Sequence, residues 1–121
     1  MALIMIADDD ATFVNVVKLY LEARGHQVVS VSDGTNASIK AQDWKPHLIV
    51  MDIQMPGGYG TTAYRSLEMA GITATTPIIF VSAVPAEKAA KVLPSTPKTR
   101  FFTKPLDLPK LEAAIKELLS S

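Results

Sequence analysis

Leu48-Ile49-Val50-Met51-Asp52 sets four consecutive apolar residues directly before a carboxylate. A strand with one wet face alternates apolar and polar side chains. An unbroken apolar run instead suits a strand covered by helices on both faces of a parallel sheet. The run begins at His47, and two others share its texture: Ala2 to Ala7 and Pro77 to Val81. Gln27 to Val31 and Arg100 to Thr103 complete a set of five. Pro77 to Val81 and Arg100 to Thr103, the last two in chain order, are short, and their assignment as strands rests partly on alternation itself.

Segments with helical spacing separate these runs. Phe13, Val17, Tyr20 and Leu21 fall on one face of a first helix, and Gly25 stands where a helix stops. A second, weakly patterned helix is expected around Asn36 to Gln42. A third is expected from about Gly60 to Ala70, ended by Gly71. A fourth, Ala86 to Leu93, is hemmed by Pro85, Pro94 and Pro97 and should be short. In the fifth, Leu111, Ile115 and Leu118 recur at helical spacing after Asp107, a natural N-cap. Strands alternating with helices imply βαβ units and a parallel sheet. The expectation is an α/β fold, a doubly wound five-stranded parallel sheet forming one domain over residues 1–121. Periodicity does not fix the strand order.

Composition narrows the function. The 121 residues fit one domain, and 48% are apolar, enough for a hydrophobic core. Twelve basic and twelve acidic side chains balance. That argues against direct nucleic-acid binding or an anionic membrane as the main partner, since both want a basic surface. There is no cysteine, which excludes disulfides, a thiol nucleophile and a cysteine-ligated metal. The longest apolar run is too short to span a bilayer and lacks the basic flank of a signal peptide. A cytoplasmic location is expected.

In open parallel α/β sheets, ligands bind beyond the carboxyl ends of the strands. There the sequence places Asp8, Asp9 and Asp10 after the first strand, Asp52 after the third, Ser82 after the fourth and Lys104-Pro105 after the fifth. Ser32 and Asp33, after the second, read as turn residues. Clustered carboxylates repel one another unless a cation joins them. Oxygen ligands in small number suit Mg²⁺, which usually shares its shell with a phosphate. An aspartate can form an aspartyl phosphate, while a lysine and a hydroxyl can bind phosphoryl oxygens.

Those residues carry a resemblance. Ile4-Met5-Ile6-Ala7-Asp8-Asp9-Asp10 resembles the opening of response regulator receiver domains. Leu48 through Asp52 to Ile53-Gln54-Met55-Pro56-Gly57 resembles the phosphoacceptor strand and loop. Val81-Ser82-Ala83 and Phe101-Phe102-Thr103-Lys104-Pro105 resemble the ends of the fourth and fifth strands. The likeness spans the chain. It implies a flavodoxin-like sheet of order 2-1-3-4-5, Asp52 as phosphoacceptor, and Mg²⁺ held by Asp8, Asp9, Asp52 and the Gln54 backbone carbonyl. It further implies that Ser82 and Lys104 bind the phosphoryl group, that Ser82 and Phe101 switch, and that Lys104–Pro105 is cis. A histidine kinase or histidine phosphotransfer protein would be the donor, and a downstream effector or a separate output domain the target. The protein would be a monomer or a weak phosphorylation-dependent dimer. It would phosphorylate and dephosphorylate itself without being an enzyme of external turnover. Gln54 and Val84 occupy positions that tune hydrolysis in the family.

Two other functions remain open on the residues: a receiver-like interaction module that is never phosphorylated, and an aspartyl-phosphate phosphatase. Asp8-Asp9-Asp10 satisfies the Asp-x-Asp pattern of such phosphatases, but Glu87, Asp107, Glu112 and Glu117 are too dispersed to supply their second acid pair. Plainer roles stand beside the sharp ones. Asp10 is expected to cap the first helix. Phe101 could be ordinary core, and Trp44 could pack a loop beside the second helix. His26 and His47 receive no catalytic role, and Gly57-Gly58 reads as a turn rather than a phosphate loop.

Overall fold

The structure is a computed structural model that describes residues 2–54, 60–91 and 93–120. Five parallel strands, β1 (Leu3–Ala7), β2 (Gln27–Val31), β3 (Leu48–Asp52), β4 (Ile78–Ser82) and β5 (Thr99–Thr103), form one sheet of order β2-β1-β3-β4-β5. Five helices connect and cover them: α1 (Ala11–Glu22), α2 (Gly34–Trp44), α3 (Gly60–Met69), α4 (Ala86–Ala89) and α5 (Leu108–Leu119). This is the flavodoxin-like order.

Strand alternation divides the core in two. Ile4 and Ile6, Leu48 and Val50, and Ile79 and Val81 face Val14, Val17 and Leu21 of α1 and Leu111, Ile115 and Leu118 of α5. Met5 and Ala7, Ile49 and Met51, and Ile78 and Phe80 face Ala37 and Ala41 of α2, Ala63 and Leu67 of α3, and Ala89 of α4. Both faces of β1, β3 and β4 are therefore dry, which is why their sequences do not alternate. Polar contacts clasp the first layer: Tyr20 Oη donates to Glu112 Oε1 (3.2 Å), and Arg24 Nε pairs with Glu112 Oε2 (3.0 Å).

Asp10, Asp33 and Asp107 cap α1, α2 and α5 with their carboxylates. Gly25 (φ 89°) and Gly71 (φ 80°) adopt the left-handed conformation where the sequence ends its first and third helices.

Several boundaries differ from expectation. The second helix is longer than Asn36 to Gln42, because Asp33 starts it early and alanines, rather than larger apolar residues, form its buried stripe. Trp44 belongs to its last turn rather than to a loop, and packs on the second core cluster. The fourth helix stops at Ala89 instead of Leu93. Lys91 N–H turns back to Lys88 in a tighter i→i+3 bond, and Pro94 disfavours helical backbone at Leu93. A short 3₁₀ turn, Ile72–Ala74, precedes β4 and was not expected. The Gly57-Gly58 turn lies outside the described residues.

Candidate functional site

The register of the sheet brings the polar strand ends together. Ala7 pairs with both Val31 and Met51, Asp52 with Val81, and Ser82 with Thr103. Asp8, Asp52, Ser82 and Lys104 are thus each the last strand residue or the first beyond it, at one edge of the sheet.

One carboxylate oxygen from each of Asp8, Asp9 and Asp52 lies within 4.8 Å of the others. Asp8 and Asp52 are buried, and Asp9 is exposed. Lys104 Nζ donates to Asp8 Oδ2 at 2.8 Å and stands 3.5 Å from Asp52 Oδ2. The Lys104–Pro105 peptide bond is cis. The loop carboxylates are also tied to backbone: Asp8 Oδ1 accepts from Asp10 N–H (2.9 Å), and Asp52 Oδ1 from Gln54 N–H (3.2 Å).

Burial raises the pKa of Asp52 above its ordinary value. The Gln54 N–H opposes that rise, the Asp8 charge adds to it, and Lys104 opposes it. For Lys104, burial works against the ammonium, but the hydrogen bond and charge of Asp8, joined by Asp52, outweigh it and raise the pKa. With all three carboxylates ionised the cluster carries −3, and Lys104 brings it to −2. A divalent cation would balance that charge, and hard carboxylate oxygens in this number are a Mg²⁺ donor set. The residues therefore fit the ion that the sequence led us to expect.

Ser82 is fully buried at the end of β4. Its Oγ accepts from Val84 N–H (3.2 Å), and its carbonyl accepts from Lys104 N–H (2.8 Å). Phe101 pairs in register with Phe80 and is half-buried beside a cavity of about 300 Å³, lined also by Leu93, Pro94 and Arg100. It lies on the opposite side of the sheet from the α1–α5 layer. Asp10 caps α1 through Thr12 and Phe13 N–H, as expected, and stays out of the carboxylate cluster. His47 accepts from Leu3 N–H through Nδ1, a structural role.

One neighbour of the site was missed. The Phe13 ring lies 4.3 Å from Lys104 Nζ, measured to its centroid. Helical spacing marked Phe13 as core. The available clue was its place on the first turn after the acids, where side chains lean back toward the helix N-terminus.

Residues 4–116 match the family model of the response regulator receiver domain. The chain belongs to that family. This receiver domain is 35% identical to protein PilH of Pseudomonas aeruginosa, over 99% of both chains. It is 28% identical to the alkaline phosphatase synthesis transcriptional regulatory protein PhoP of Bacillus subtilis, over 96% of this chain but 48% of that protein, so it spans about half of such a regulator. A matching fold occurs in the receiver domain of sensor histidine kinase PA1611 from P. aeruginosa. That structure was solved with a magnesium ion coordinated in its active site cleft; the TM-score is 0.89, with 22% identity over 99% of this chain and 98% of that one. The family shown is a regulatory one rather than a phosphatase family. Among the described residues, no helix is long and apolar enough to cross a membrane.

Proposed function

We propose that this receiver domain takes a phosphoryl group onto Asp52 from a phosphohistidine on a histidine kinase or phosphotransfer protein, and thereby changes its surface for a downstream effector. The observation that carries this reading is the convergence of Asp8, Asp9, Asp52 and Lys104 at one sheet edge.

An Asp52 carboxylate oxygen attacks phosphorus. The new P–O bond forms as the P–N bond to the donor imidazole breaks, and the imidazole keeps the electron pair. Such transfer needs mainly positioning and neutralisation of charge. Asp8, Asp9, Asp52 and the Gln54 carbonyl would hold Mg²⁺, which would supply that neutralisation when bound and offset the Asp8 charge that adds to the burial-driven rise of the Asp52 pKa. Lys104, already 3.5 Å from Asp52, binds a phosphoryl oxygen with its ammonium. Ser82 gives the phosphoryl group a hydroxyl donor on moving from its contact with Val84. That movement frees room for Phe101 to turn inward from its half-buried position. The product is a mixed anhydride that the domain itself hydrolyses, with no external substrate turned over. We place the protein in the cytoplasm, with its donor.

The test is intact mass after incubation with a small phosphodonor and Mg²⁺, beside Asp52→Asn. One added phosphoryl group that requires Mg²⁺ and is absent from the variant is expected. No addition, together with no Mg²⁺ binding, would leave the unphosphorylated interaction module in its place.

A further inference from the structure

Lys104 is held on three sides. Asp8 accepts one of its hydrogens at 2.8 Å, Asp52 stands at 3.5 Å, and the Phe13 ring centroid lies 4.3 Å from Nζ. The lysine side chain is 19% exposed, so the ammonium meets the ring in a mostly dry setting. There the attraction between a cation and the negative face of a ring is near the upper part of its range. The ring is itself fixed. Phe13 packs against the core cluster beneath α1, and its backbone N–H donates to Asp10 Oδ1 at 3.2 Å. The capping aspartate thus anchors the turn that carries the ring, immediately after the two acids of the site.

We propose that Phe13 is a positioning residue for Lys104, which rests on the proposal that Lys104 binds the phosphoryl group on Asp52. A lysine ammonium has three hydrogens. A third carboxylate in place of the ring would take one of them and draw the ammonium away from Asp52. The ring attracts the charge without accepting a strong hydrogen bond. It holds Nζ beside Asp52 and leaves a hydrogen for the phosphoryl oxygen. When Lys104 shifts from Asp8 toward that oxygen, the ring face offers attraction along the way, so the move costs little.

The experiment compares the full chain with Phe13→Leu, Phe13→Trp and the same chain carrying pentafluorophenylalanine at position 13. The readouts are the rate of phosphorylation by a small phosphodonor with Mg²⁺ and the melting temperature. The fluorinated ring keeps the size and apolarity of phenylalanine but removes its negative face. We expect the fluorinated chain and Phe13→Leu to be phosphorylated roughly three- to tenfold more slowly, and Phe13→Trp to keep most of the rate. The fluorinated chain should melt slightly below the wild type, by no more than the lost ring–cation attraction, and above Phe13→Leu, which separates positioning from packing. Equal rates for the fluorinated and native rings would overturn the proposal, even if Phe13→Leu were slow or unfolded. A wild-type chain that takes no phosphoryl group would instead remove the phosphoacceptor reading, and this role with it.

Discussion

Replacing Lys104 with methionine removes the positive charge and keeps an apolar stem of similar length. Asp8 then loses the ammonium at 2.8 Å, and its own side chain has no exposure to water. At an effective dielectric constant of about 20, that attraction is worth about 6 kcal/mol, and the one to Asp52 at 3.5 Å about 5 kcal/mol. Desolvation of the lysine offsets much of this. Breaking a buried pair from one side costs about 3–5 kcal/mol. Lys104 retains 19% exposure, so we expect the low end, about 3 kcal/mol. For a domain of this size that corresponds to a fall of roughly 10 °C in melting temperature. The assay is urea unfolding at pH 7 in the presence of a chelator, on wild type, Lys104→Met, Asp8→Asn and the double variant. Asp8→Asn should rescue part of the loss, with a coupling energy of about 2 kcal/mol. The raised Lys104 pKa gives a stabilising contribution that is complete below the ordinary lysine value of 10.5 and disappears as pH climbs through the higher folded value. The wild-type advantage is therefore whole at pH 7. It should narrow toward pH 4, because Asp52, whose pKa burial already raises, loses in the variant the lysine that opposes that rise. A loss below about 1 kcal/mol, or additivity of the two single changes, would refute the claim that Lys104 neutralises Asp8.

Four further outcomes are expected. Asp10→Ala should cost about 1 kcal/mol in urea unfolding, since the carboxylate accepts from both Thr12 and Phe13 N–H. Leu111→Ala, at a residue with no exposure between sheet and α5, should cost about 2–5 kcal/mol. His26 has a pKa lowered by burial, and its Nδ1 is buried without a hydrogen-bond partner. Its contribution is present above the ordinary value of 6.5 and lost as pH falls through the lower folded value, so the stability difference between wild type and His26→Gln should change across that window and flatten above it. Mg²⁺ at a hundred times its dissociation constant should stabilise wild type by about 2.7 kcal/mol, and Asp52→Asn by clearly less at the same concentration, as thermal melts would register.

The strands were legible because burial on both faces leaves a mark in consecutive residues, as in Ile4-Met5-Ile6 and Leu48-Ile49-Val50-Met51. The family's fold and the strand order came with the motifs rather than with periodicity. Asp8, Asp9, Asp52 and Lys104 were legible as a candidate set for a physical reason: singly Asp52 reads as a loop residue and Lys104 as a solvated lysine before a proline, but an α/β sheet brings its strand ends to one edge. Gln54 and Phe101 were not legible in that way, since amides and half-buried aromatics occur for many reasons, and resemblance alone marked them; Ser82 was marked by its place at a strand end, but is uninformative when taken singly. Helix ends were the weakest part. The α2 stripe is alanine, which contributes little to an apolar pattern, and the end of α4 turns on how Pro94 constrains the residue before it. Phe13 escaped because a ring can pack on the core and touch the site at once.

The acid cluster is held in place by a core that has no chemical role in it. Met51, Val50 and Phe80 are at most 1% exposed, and each contributes roughly 1.5–3 kcal/mol by leaving water. Those gains fix the register of β3 between β1 and β4, and the register fixes Asp52 beside Asp8. A slip of one residue would advance Asp52 by about 3.3 Å and turn it to the other face, away from Lys104. It would also exchange Val50 and Met51 between two differently shaped core layers. Several large side chains oppose that slip, so mutual repulsion among three carboxylates cannot relax by sliding the strand. It can relax only by taking up a proton or a cation. Burial first, and then the Asp8 charge, raises the pKa of Asp52, and a cation that meets the −2 charge left after Lys104 answers the second of these. The core keeps the acids close enough to favour a divalent ion, and leaves the neutralising step to whatever binds there.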